Sequence, residues 1–189
     1  VVGEEQSGFI KEVGIELYHQ MLEEEIVDQK NKVFNKKSIK IKKYDFQPFI
    51  KIPEKIYIPD NYINDLDVKI SIYKRISNIT ENTEKDDLIL ELIDRFGKLP
   101  IEVKNLFKLI EIKIMCFKNN IDQIEFGKRG ILFRYYKNNP HHPDKIFNLC
   151  LKDDNNFELR NDQKIFYNFL GDSNFDNFDL VKDITNKLA

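Results

Sequence analysis

Tryptophan is absent from this chain, and glycine (7), proline (6), cysteine (2) and methionine (2) are sparse among its 189 residues. Each scarcity closes off a class of chemistry. The few glycines stand as isolated punctuation, so there is no GxxxxGK[ST] loop whose backbone N–H groups could cradle a phosphate, and nucleotide binding by this chain is not expected. Cys116 and Cys150 have no CxxC partner, and the simplest home for two lone thiols is a reducing cytoplasm. Neither has a neighbouring histidine to activate it, and each falls on an apolar helix face, where a cysteine acts as a small hydrophobe. No apolar run approaches a membrane span and no signal-peptide pattern is present. An excess of one charge is missing too: 30 Lys+Arg against 32 Asp+Glu leave a net −2. No global field therefore draws the chain to nucleic acid or anionic lipid, and any recognition by charge must be local.

What is present suffices for a fold. Hydrophobic residues make up 41%, enough to fill the core of one ordinary domain plus a small appendage. The chain opens on Val1-Val2 with no Met and runs straight into the polar turn Gly3 to Gly8, which reads as a cut made inside a longer protein. From Ser7 to about Lys30, Ile10, Val13, Leu17 and Met21 recur at helical spacing and predict a long amphipathic helix capped by Ser7. Residues 31–43 are Lys-rich and aperiodic, a solvated connector. Phe46 to Ile52 is β-prone but interrupted by Pro48 and followed by Pro53, which demotes it to an edge strand.

Helices dominate the next stretch. Leu66, Ile70, Tyr73 and Ile76 predict a helix ending near Asn78, and a second begins at Thr83, paired with Asp86 as a capping box. Leu88, Leu92 and Phe96 form its inner stripe, and Gly97 stands where a left-handed C-cap is needed. Pro100 opens a third, strongly apolar helix. After Asn120 the period changes to two, with a hairpin turning at Gly127-Lys128-Arg129-Gly130. Pro143 starts a short helix carrying Ile146, Phe147 and Cys150. Phe157 to Phe169 reads as two strand pieces around Asn161-Asp162, and Leu180, Val181, Ile184 and Leu188 line a final helix. The expected class is α+β: a long N-terminal helix and a helical segment packed with a small antiparallel sheet of β-hairpins and a C-terminal helix. The expected organisation is 1–43 as helix and connector and 44–189 as the domain proper.

Chemistry-bearing clusters are few. His19, His141 and His142 find no third ligand at a metal spacing, so no metal or other cofactor is expected. Lys36, Lys37, Lys40, Lys42 and Lys43 could touch phosphate or simply keep a linker soluble, and Lys128 and Arg129 at the hairpin tip pose the same choice. The helix from Thr83 to Phe96 has a charged outer face of Glu84, Asp87, Glu91, Asp94 and Arg95, which fall together once the apolar stripe is buried. Such a face suits a basic partner, or it meets water. Paired carboxylates for acid–base catalysis need an enclosing pocket, and no pocket can be assembled from the pattern. Catalytic residues are accordingly none.

Three blocks carry a resemblance. Gly3-Glu4-Glu5-Gln6-Ser7-Gly8 followed by Glu12-Val13-Gly14 and Leu17-Tyr18 resembles the end of the translocase module of the bacterial transcription-repair coupling factors, the Mfd family. Ile58-Pro59-Asp60 with Ser71-Ile72-Tyr73-Lys74-Arg75-Ile76, and Glu91-Leu92-Ile93-Asp94-Arg95-Phe96-Gly97 with Leu99-Pro100, resemble the C-terminal domain of that family in the same order. After Ile121 the resemblance rests on the order of elements. It implies a parent ATP-dependent motor that walks on double-stranded DNA, displaces stalled RNA polymerase and recruits UvrA. For this chain it implies a non-catalytic piece, with Gln6 the remnant of the translocation motif shared with RecG. The remainder would be an autoinhibitory domain that docks on the parent's UvrB-like module through Glu91, Asp94 and Arg95 and hides the UvrA-binding surface. The alternative is an accessory DNA-contacting module that uses the Lys-rich connector.

Overall fold

The structure, a computed structural model, describes residues 44–152, 156–169 and 176–189; the expected first helix, Gln6, His19 and the Lys-rich connector lie outside the described residues. The chain divides into two compact units. One takes its described residues from Lys55–Ile110, and the other comprises Tyr44–Glu54 with Glu111–Ala189.

The first unit is helical. Asp65 caps α1 (Leu66–Asn78) by accepting the Val68 N–H at 3.0 Å, and Ile72, Tyr73 and Ile76 turn inward. The Tyr73 hydroxyl accepts the Ile58 N–H at 2.8 Å, and burial pushes its phenol up to about 12. Helix α2 (Asn82–Phe96) starts one residue earlier than expected, and its capping box is Glu81 with Glu84 rather than Thr83 with Asp86. The reason is the tight exit from α1, where the Ile79 N–H returns to the Ile76 carbonyl. With α1 closed there, the third helical position of α2 falls on Glu84. Its carboxylate reaches back to the N–H groups of Thr80 (2.9 Å) and Glu81 (3.3 Å).

At the other end Gly97 adopts φ 83° with ψ −161°, a positive-φ conformation open to glycine but not the left-handed cap expected there, and its N–H closes on the Ile93 carbonyl at 2.9 Å. Leu88 and Leu92 are buried as the inner stripe. The Tyr62 hydroxyl lies 3.1 Å from the Leu92 carbonyl and 3.2 Å from that of Gly97, satisfying the last turn from outside the helix. Helix α3 (Ile101–Lys118) follows Pro100 and gives its first ten residues to this unit.

The second unit is built on a five-stranded sheet in the order β1-β2-β3-β5-β4. Strands β2 (Ile121–Phe126) and β3 (Gly130–Tyr135) form the expected hairpin, its turn closed by the Gly127 N–H on the Gly130 carbonyl at 2.8 Å. Strands β4 (Phe157–Leu159) and β5 (Ile165–Asn168) form a second. Strand β1 (Phe49–Lys51) lies at an edge between Pro48 and Pro53, as its prolines demand, but it pairs with β2 in parallel. The sheet is therefore mixed where a wholly antiparallel one was expected. A hairpin cannot join parallel neighbours; the long chain carrying α1 to α3 supplies the connection between β1 and β2.

On the buried side of this sheet lie Ile124, Ile131, Phe133, Tyr135 and Ile165. Helix α5 (Asn177–Leu188) buries Phe178, Val181, Ile184 and Leu188; the Tyr135 hydroxyl donates to its Leu188 carbonyl at 3.0 Å, and Lys182 pairs with Glu111 of α3. Helix α4 (Pro143–Leu151) opens on Pro143 as predicted but buries only Ile146. Phe147 faces solvent. Cys116 is buried and Cys150 half-buried, and burial pushes both thiols up, so neither is a thiolate at neutral pH.

Candidate docking surface on helix α2

A helix turns about 100° per residue, so burial of Leu88 and Leu92 directs residues 87 and 94 away from the interior and leaves 84, 91 and 95 along the flank of the buried stripe, exposed or half-buried. Along that flank one cluster is tightly assembled. Arg75, in the last turn of α1, grips Glu91 with both guanidinium ends, Nη1 to Oε1 at 2.8 Å and Nη2 to Oε2 at 2.6 Å. Arg95, one turn further along α2, donates to Oε1 from the other side at 2.8 Å and lies 4.9 Å from the centroid of the Phe96 ring. These charge-assisted bonds hold the Glu91 carboxyl at about 2, with the Arg75 fork the largest cause and Arg95 the next. The same pairing raises Arg75.

The residue pattern grouped Glu84, Asp87, Glu91, Asp94 and Arg95 on one face, and the family resemblance singled out Glu91, Asp94 and Arg95. The structure joins Glu91 to Arg95, adds Arg75, and leaves Asp94 apart. Asp94 and Asp87 are exposed and form no ion pair among the described residues, while Glu84 is engaged in the cap. Arg75 was missed because it lies 16 residues from Glu91, a separation that no helical periodicity connects. Leu90 and Ile93 were missed as well: both are exposed, at 66% and 44%. Their signal was legible, since neither belongs to the 88, 92, 96 stripe.

The Glu91 cluster makes stability pH-dependent in a defined window. Its carboxyl is depressed from 4.5 to about 2 in the folded chain, so the stabilisation is complete above about pH 4.5 and drains away as pH falls toward 2. Denaturation of wild type and Glu91→Gln across that range should converge at the acid end. Curves that stay parallel would show that the carboxylate is not clamped.

The remaining candidates stay dispersed. His141 and His142 are exposed, and among the described residues no group of three or more His, Cys, Asp or Glu could hold a metal ion. Lys128 and Arg129 are exposed at the β2–β3 tip.

Fold and site together define an α+β protein that carries a charged cluster on the exposed side of a helix. Residues 52–146 match the family model of the TRCF domain. A transcription-repair-coupling factor from Rickettsia conorii is 41% identical over 167 residues, covering 88% of this chain and 14% of that protein. One from Bacillus subtilis is 36% identical over 131 residues, covering 69% of this chain and 10% of its own. The crystal structure of the C-terminal domain of a transcription-repair coupling factor superposes with a TM-score of 0.61 at 20% identity, covering 76% of this chain and 92% of that one. The chain belongs to the TRCF family, the C-terminal domain of transcription-repair coupling factors.

Proposed function

We propose that this chain is a non-catalytic regulatory domain of a DNA-repair translocase, restraining its parent by docking α2 on the UvrB-like module and masking the surface that UvrA binds. RNA polymerase and double-stranded DNA are then partners of the parent, reached only indirectly. The observation that carries the reading is the outer face of α2, where Asp87 and Asp94 stand exposed and form no ion pair among the described residues, on a helix held by the Glu91, Arg75 and Arg95 cluster. A few partly exposed charge pairs across such a contact supply about 1–3 kcal/mol in total, enough to bias a closed state and small enough to release it. No helix among the described residues is long and apolar enough to cross a membrane.

The test is a pull-down of this chain with the UvrB-like module of a transcription-repair coupling factor, wild type against the double reversal Glu91→Lys with Asp94→Lys. The reversal should weaken capture by about tenfold or more at low salt. In the full-length parent it should raise UvrA binding. Capture and UvrA affinity that both ignore the reversal would sink the docking assignment.

A further inference from the structure

Resting on that docking reading, we infer that the anchor of the contact is the apolar pair Leu90 and Ile93, flanked by Asp87 and Asp94, and that its partner is a protein surface with an apolar socket rimmed by Lys or Arg. Leu90 and Ile93 are three residues apart on α2, so their side chains are neighbours on one face and form a single ridge. Exposed at 66% and 44%, they leave a large apolar surface in water beside two carboxylates that form no ion pair among the described residues. Glu91, by contrast, has both oxygens occupied by cations of its own unit. An incoming Arg would have to displace a bidentate pair already formed, so Glu91 sets the angle of α2 and touches the partner little; it is a positioning residue.

The charges also select the occupant. Nucleic acid and anionic lipid are repelled by Asp87 and Asp94. A second copy approaching by a two-fold axis would bring the same carboxylates face to face, which costs rather than stabilises. A socket with a basic rim meets both parts of the ridge, burying the apolar pair at its centre and pairing the acids at its edge, the arrangement in which a few central residues carry most of the binding energy.

Calorimetric titration of the chain with the purified UvrB-like module, at about 0.1 and about 0.5 M salt, separates the roles. Leu90→Ser with Ile93→Ser should weaken binding by about 30-fold at both salts with an unchanged melting temperature, and Leu90→Gln, which keeps helix propensity, should move in the same direction. Asp87→Asn with Asp94→Asn should lose about tenfold at low salt and little at high salt. Glu91→Gln should lower the melting temperature while holding affinity within about threefold. A Leu90/Ile93 variant that binds like a binding-competent wild type overturns this assignment and leaves docking intact, as does a Glu91→Gln loss equal to that of the apolar variant. A wild type that does not bind overturns both. A solution dimer abolished by Leu90→Ser with Ile93→Ser assigns the ridge to a second copy and overturns the socket.

Discussion

Gly130→Ala should destabilise the sheet unit by about 3 kcal/mol or more, because the position has no room for a single methyl group. A Cβ built there would stand 2.0 Å from the Tyr167 carbonyl oxygen and 2.7 and 2.8 Å from two atoms of the Phe166 ring. The carbonyl is backbone of β5, paired to β3 at Ile131↔Tyr167, so it cannot yield without shifting the register of both strands. Moving the ring aside would also cost its contact with the Arg160 guanidinium, which lies over it at 3.9 Å from the centroid. Phe166 thus covers the bare backbone of Gly130 and is itself covered by Arg160. Thermal melts by far-ultraviolet circular dichroism should show the sheet transition shifted down sharply in Gly130→Ala. A melt matching wild type would mean that β3 and β5 are not paired in this register.

How much of this was legible beforehand depends on the range of the interaction concerned. Helix α2 was read nearly to the residue because its signals are local: the stripe of Leu88 and Leu92 recurs within one helix, and Gly97 answers a conformational demand at its own position. The β2–β3 hairpin was read for the same reason, from alternation on either side of a four-residue turn. What escaped involves partners distant along the chain. The parallel pairing of β1 depends on a strand more than seventy residues later, and a strand sequence carries no mark of its neighbour's direction. Arg75 was not singled out for the charged face, because its pairing with Glu91 exists only once α1 and α2 lie side by side. The short helix α4 was expected to carry Ile146 and Phe147 without either being assigned inward, because so few residues have no period long enough to separate inside from outside. The site followed the same rule: the face was visible in the sequence, but the division between clamped Glu91 and exposed Asp94 was not.

Leucine truncation at two positions on α2 should give opposite results, and the contrast tests the orientation on which the docking surface depends. Leu92→Ala should cost about 3 kcal/mol, since its side chain is fully buried and its removal leaves a cavity that the surrounding helices fill only in part. The loss should reach the contact too, because the Leu92 carbonyl is one of the two that share the Tyr62 hydroxyl, and the last turn of α2 carries Arg95 and Asp94. Leu90→Ala removes the same atoms two residues earlier yet should leave stability within about 0.5 kcal/mol, as the side chain gives up mostly water. Urea denaturation of the two variants measures both values with one method. If Leu90→Ala proved the costlier, α2 would be rotated, Asp87 and Asp94 would turn toward the interior, and no acidic ridge would remain for a basic partner. If the predicted order holds, a Leu90→Ala chain of full stability that nonetheless binds weakly isolates the anchor from the fold, which a charge variant near the Glu91 cluster cannot do.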